Sequence, residues 1–150
     1  MRARIIIGVF VDEVHVLHEG PQELARHHPD LRIVLDHCGK PDIAGGRFQP
    51  WASDIEALAS RANVACKLSG LPNQAPASAG VAALRPYADH VLARFGPDRT
   101  LWASDWPPLL LSGTGYGDWW SMSLQLLSGL DDDARDAVLG GTARRVYTLH

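Results

Sequence analysis

Short branched-aliphatic runs alternate along this chain with longer stretches whose apolar residues recur at helical spacing. That alternation restricts the fold more than any other feature. Four runs read as strands, residues 14–17, 32–36, 64–68 and 100–104, because β-branched and aliphatic residues bounded by turn formers favour extended backbone. Between them, Pro21 opens a short amphipathic segment that Pro29 ends, and Trp51, Ile55, Leu58 and Ala59 form one apolar stripe over residues 50–62. Leu84, Ala88, Val91, Leu92 and Phe95 form another stripe, which Pro86 can enter only near the first turn. Strands separated by helices must run parallel, since only a crossover returns the chain to the same end of a sheet. The class is therefore α/β. Open doubly wound sheets and closed barrels of this class both carry their chemistry at the C-terminal ends of strands.

Composition narrows the function classes. A chain of 150 residues suits one domain, and 46% hydrophobic with 21% charged residues suits a globular one. The net charge of −3 gives no electrostatic handle for nucleic acid. No apolar run approaches the roughly 20 residues of a membrane span. The apolar start around Ile5, Ile6 and Ile7 is too brief for a secretory signal and meets Asp12 and Glu13 at once, so the expectation is a cytoplasmic protein that binds neither nucleic acid nor membrane. Cys38 and Cys66 lack metal-type spacing and read as reduced, buried thiols.

The strand ends carry the ionisable residues. The fourth run stops at Ser104-Asp105-Trp106-Pro107, an acid between a hydroxyl and an indole. The second ends in Asp36-His37-Cys38-Gly39-Lys40. Alternation puts Ile33, Leu35 and His37 on one face, so if Leu35 points into a barrel, His37 faces its mouth and Asp36 faces the helices. A hydrogen-bonded structural histidine followed by a turn is the competing reading. The third run ends in Lys67-Leu68-Ser69-Gly70, with Lys67 and Ser69 on one face. A lysine there either pairs with an acid, Asp105 being the obvious one, or snorkels out on its four-carbon stem.

Other candidates are weaker. His15, His18 and Glu19 resemble a metal triad, but positions three apart fall on opposite faces of a strand. His90 and Arg47 read as surface, and Trp51 and Trp119 as packing. The Gly-rich loop 112–117 is a candidate lid, with Asp118 as N-cap of the helix after it. Asp131 caps a further helix that runs through Val138 and is closed by Gly140-Gly141.

Three stretches, Val34-Leu35-Asp36-His37-Cys38-Gly39-Lys40-Pro41, Cys66-Lys67-Leu68-Ser69-Gly70-Leu71 and Phe95 through Pro107, resemble in order and spacing the amidohydrolase-2 family of the amidohydrolase superfamily. The likeness is to its sugar-lactone and pyrone-dicarboxylate lactonase-like TIM-barrel hydrolases. Residues 141–147 resemble the family's closing segment, with Thr142 where asparagine is usual. The resemblance implies a partial (β/α)8 barrel, approximately strands 5–8 with their helices, over residues 14–150, and leaves 1–13 unassigned. The family's His-x-His pair has no counterpart, and a complete barrel takes about 250 residues.

By that resemblance the activity is hydrolysis of a lactone or related ester of a sugar acid or dicarboxylate. Asp105 activates water and His37 polarises the carbonyl or holds a metal. Lys67, Lys40, Ser69 and Trp106 form the substrate-binding set, and a nearby ammonium keeps Asp105 ionised. No cofactor is certain; a divalent metal such as zinc is implied for a complete barrel, with His37 and Asp105 as the ligands this chain offers and weak or no binding by the chain alone. The expected partners are a small-molecule substrate and either a second copy or a missing N-terminal half, because Leu35 and Leu101 would otherwise lose the wall that covers them. On this reading the isolated chain is inactive. The alternative is a non-catalytic half barrel that acts only through assembly.

Overall fold

A computed structural model describes residues 6–9, 20–77 and 79–149. Four parallel strands, β1 (Ile6–Val9), β2 (Arg32–Leu35), β3 (Val64–Leu68) and β4 (Thr100–Trp102), lie side by side in chain order. The register pairs Gly8 with Val34, Val34 with Ala65 and Lys67 with Leu101. The crossovers carry α1 (Gly20–His27), α2 (Trp51–Ala59), the single turn α3 (Leu71–Gln74) and α4 (Val81–Phe95). After β4 come α5 (Tyr116–Leu126), α6 (Asp132–Asp136) and α7 (Thr142–Tyr147). The α/β class and the parallel sheet agree with the sequence pattern, and β3 has the expected bounds. The first strand does not: β1 lies at Ile6–Val9, inside the segment left unassigned, while the expected strand at 14–17 and the residues His15, His18 and Glu19 lie outside the described residues. No described helix is long and apolar enough to cross a membrane.

The two faces of the sheet bury different things. Ile33, Leu35, Cys66 and Leu68 pack on the helix side with Ile55, Leu58, Leu84, Ala88, Val91 and Trp119, which makes this the main core. Val34, Ala65 and Leu101 occupy the other face, where Val146 of α7 packs against them and Ala143 and Tyr147 border the contact. The expected orientation is thus reversed: Leu35 faces the helices, and Val34, followed two residues on by Asp36, faces away from them. Leu101 does lie on the inner face, but it is not bared, because with Val34 it is buried in the cluster that α7 completes. Arg32 fastens α7 in place by donating to the carbonyls of Arg145 and Val146.

Helix ends differ from expectation where backbone geometry outweighs residue type. α4 starts at Val81, so Pro86 stands in its second turn. There the carbonyl of exposed Ala82 loses its helical donor to solvent. Gly115, with extended backbone, is the N-cap of α5, and Asp118 lies in the first turn. Asp131 caps α6 as expected, accepting from the Ala134 amide at 2.8 Å. Gly140-Gly141 does not end the helix; a π-helical turn, Ala137–Gly141, carries the chain into α7, and the Thr142 hydroxyl donates to the Pro97 carbonyl at 2.8 Å.

Candidate functional site

After β2 the backbone turns left-handed for four residues in a row, His37, Cys38, Gly39 and Lys40, with φ between 52° and 68°. Outside glycine this region costs roughly 1–2 kcal/mol per residue, so the surroundings must hold the turn. Several bonds do so. The Lys40 amide donates to the His37 carbonyl at 2.9 Å, the buried Trp51 indole to the Cys38 carbonyl at 2.7 Å, and the Cys38 thiol to the Lys67 carbonyl at 3.2 Å. Trp51 is core, as its spacing suggested, and also the anchor of the turn. Both cysteines are free and buried; burial foremost, with Cys38 beside it, pushes the Cys66 thiol well up, which leaves it a protonated packing group.

The turn delivers His37 to the C-terminal end of the sheet. Its Nδ1 meets the Ser69 hydroxyl at 2.9 Å and its Nε2 lies 3.7 Å from Asp105 Oδ1. Gly70, φ 68°, lies under the ring, where any Cβ would sit 2.7 Å from His37 Cβ. Asp105 itself has φ 56°, so the acid too leaves its strand through a left-handed residue. Backbone strain gathered on both candidate catalytic residues is what a site held in one geometry by its scaffold shows.

These groups line a cleft of about 450 Å³ walled by Lys40, Lys67, Asn73, Gln74, Trp106 and Pro108. His37, Asp105, Lys67, Lys40 and Trp106 therefore come together as the sequence suggested. Ser69 does not join them at the wall: it is fully buried and turned toward His37.

The charge pairing also departs from expectation. Lys67 neither pairs directly with Asp105 nor snorkels out; its Nζ lies 2.5 Å from Oδ1 of Asp36, which is 3% exposed. Asp36 points inward because Val34 does. Burial works against the Lys67 ammonium, but the hydrogen bond and charge of Asp36 outweigh it and raise the pKa. Asp105 is held above the ordinary carboxylate range, first by burial and then by Asp36; His37, Lys40 and Lys67 pull the other way without winning. The expected ammonium effect is present and is outweighed.

Other candidates fall outside the cleft. Arg47 is a surface residue paired with Asp42 at 2.5 Å. His90, read as surface, is half-buried with its Nε2 2.9 Å from the Ala52 carbonyl and its ring against Phe48 and Trp51. The candidate lid, residues 112–117, follows a 3-10 turn, Pro108–Ser112, that presents exposed Leu110 and Leu111. Asn73 Nδ2 ties this turn to α3 by donating to the Pro108 carbonyl at 2.8 Å. Sequence reasoning passed over Asp36, Gly70 and Asn73. Asp36 shares a face with Val34, but alternation alone does not say that this face is the inner one.

A family model described as Amidohydrolase, of the Amidohydro_2 family, matches residues 12–149. The chain belongs to that family. Its similarity to an L-fucono-1,5-lactonase of Burkholderia ambifaria is 41% identity over 128 residues, 83% of this chain and 44% of the relative. An amidohydrolase of Burkholderia multivorans, solved with bound zinc, superposes with TM-score 0.86 at 32% identity, over 97% of this chain and 53% of that one. A putative 2-pyrone-4,6-dicarboxylic acid hydrolase of Pseudomonas putida gives TM-score 0.69 at 28% identity, over 88% and 49%. The amidohydrolase chain thus spans about half the length of the relatives it matches.

The zinc of the Burkholderia multivorans structure prompts a test of fit. Two donors on a tetrahedral zinc with bonds of about 2.0–2.1 Å stand roughly 3.3 Å apart, and His37 Nε2 and Asp105 Oδ1 are 3.7 Å apart on one cleft. They fit as two neighbouring ligands. Among the described residues no group of three or more His, Cys, Asp or Glu is placed to hold an ion, and catalytic zinc takes three protein ligands.

Proposed function

We propose that this amidohydrolase hydrolyses a lactone or related ester of a sugar acid or dicarboxylate, with Asp105 as the base that takes a proton from the attacking water. The observation that carries this reading is the placement of His37 and Asp105, 3.7 Å apart, over a cleft that also holds Lys40 and Lys67. Burial brings the Asp105 pKa closer to neutrality than that of an exposed acid, and a stronger base removes a proton from water more readily. His37, seated on Gly70 and fixed by Ser69, presents Nε2 to the cleft, where an N–H would polarise the lactone carbonyl. Lys40 supplies positive charge for the substrate's carboxylate or developing oxyanion, and Lys67, its charge balanced by Asp36, offers the substrate its remaining N–H donors at the cleft wall. A divalent metal, when bound by His37 and Asp105 with a ligand from outside the described residues, would supply Lewis-acid polarisation of the carbonyl and of water.

We also propose that the chain supplies approximately strands 5–8 of a TIM barrel, and that the rest of the mouth comes from other strands. Among the described residues β1 and β4 each have one neighbour in the sheet, so each offers an edge to a partner half or a second copy. We expect an oligomer by light scattering, with turnover in the assembled form and little or none in an isolated chain. The functional test is proton release from 1,5-lactones in weakly buffered solution. Asp105→Asn is expected to lower the rate by about 10²–10⁴-fold, the usual worth of a general base. Full retention of the parent rate would remove Asp105 from the mechanism.

A further inference from the structure

We infer that Ser69 is a positioning residue: its hydroxyl donates to Nδ1 of His37 and so holds the ring with its Nε2–H toward Asp105 and the cleft. The inference rests on the reading of His37 as the group that meets the substrate carbonyl or a metal. Ser69 follows β3 and is fully buried, so its hydroxyl cannot reach substrate, yet its Oγ lies 2.9 Å from His37 Nδ1. Gly70 closes the ring from below, within 3.0 Å of where a Cβ would stand. The ring therefore has one available orientation, with Nδ1 on serine and Nε2 toward Asp105.

Partner chemistry then assigns the proton. An ionised carboxylate attracts an N–H and repels a ring lone pair, so the Nε2 that faces Asp105 at 3.7 Å is the N–H and Nδ1 is the bare nitrogen. Ser69 must donate. A hydroxyl can do so, unlike a carboxylate or carbonyl.

The experiment is 15N nuclear magnetic resonance of His37 in the full chain, at a pH where the ring is neutral, with lactone hydrolysis as a parallel readout. In the parent protein the expected result is a protonated Nε2 and an Nδ1 resonance displaced by an accepted hydrogen bond. Ser69→Ala should move the Nδ1 resonance to that of an unbonded ring nitrogen and lower kcat about 10–100-fold with little change in KM, the usual cost of losing such a partner. Ser69→Thr, which keeps the hydroxyl, should restore both. A parent spectrum with the proton on Nδ1, or nitrogen resonances unmoved in a folded Ser69→Ala, would overturn the inference. If Ser69→Ala moves the resonance while His37→Gln leaves hydrolysis untouched, the contact stands and the functional reading of His37 fails.

Discussion

Gly70→Ala tests the site most directly, because its effect can be worked from two separate terms. The first is backbone: at φ 68° an alanine incurs the left-handed penalty of roughly 1–2 kcal/mol. The second is steric. The new methyl would stand 2.7 Å from His37 Cβ, 2.9 Å from Cγ and 3.0 Å from Nδ1, whereas carbon atoms rest about 3.5–4.0 Å apart. The ring must retreat by roughly 1 Å, and overpacking of that kind costs about 1–3 kcal/mol. Gly46→Ala isolates the first term, since Gly46 has φ 65° and nothing within 4 Å of its added Cβ. Urea denaturation should therefore show Gly70→Ala less stable than Gly46→Ala by about 1–3 kcal/mol.

The rate separates the two variants further. A displacement of about 1 Å at a reacting group can cost on the order of 10²-fold, so Gly70→Ala should lose that much in lactone hydrolysis while Gly46→Ala keeps the parent rate. Equal stabilities with equal rates would mean that the ring does not rest on Gly70, and the geometry drawn for His37 would be wrong.

Four further outcomes are expected. Because burial raises the Asp105 pKa, the acid limb of the rate profile should fall at a pH above the ordinary aspartate range, measured as kcat/KM against pH; a limb at the unperturbed value would refute this. A raised folded-state pKa gives stability that is complete below the unfolded pKa and lost as pH rises through the folded one, so Asp105→Asn should melt no lower than the parent at neutral pH, the more so because asparagine tolerates φ 56°. Lys67→Met strands Asp36, which is 3% exposed, and should cost about 3 kcal/mol by denaturation, with the further change Asp36→Leu recovering most of it. Trp51→Phe removes the donor to the Cys38 carbonyl and should cost about 1–3 kcal/mol, with hydrogen exchange accelerated at the Lys40 amide.

Much of this architecture was legible because it depends on local pattern. Branched runs fixed β3 to the residue, the spacing of Trp51, Ile55 and Leu58 gave α2, and the ionisable residues crowded at the ends of β2 and β4 marked the cleft. What escaped depends on contacts distant in sequence. Nothing near Leu35 in the chain says which side of the sheet α7 will cover, and that choice decides the face of every residue in β2. Lys67 and Asp36 are 31 positions apart, and their pairing follows only once Val34 is known to point inward. The role of Gly70 is invisible without His37 above it.

The reversed face of β2 carries a consequence for His37. Simple alternation from the true arrangement, with Val34 and Asp36 inward, would send His37 out among the helices with Leu35. Yet it reaches the cleft beside Asp105, because alternation holds only while the backbone is extended, and His37 is the first residue of the left-handed turn. His37 thus lines the cleft, although the strand alternation that was expected to bring it there runs the other way. The strained turn is thus what converts an outward position into an inward one. It lets β2 place two adjacent ionisable residues on the same side, Asp36 to hold Lys67 and His37 to meet Asp105, which an extended strand cannot do.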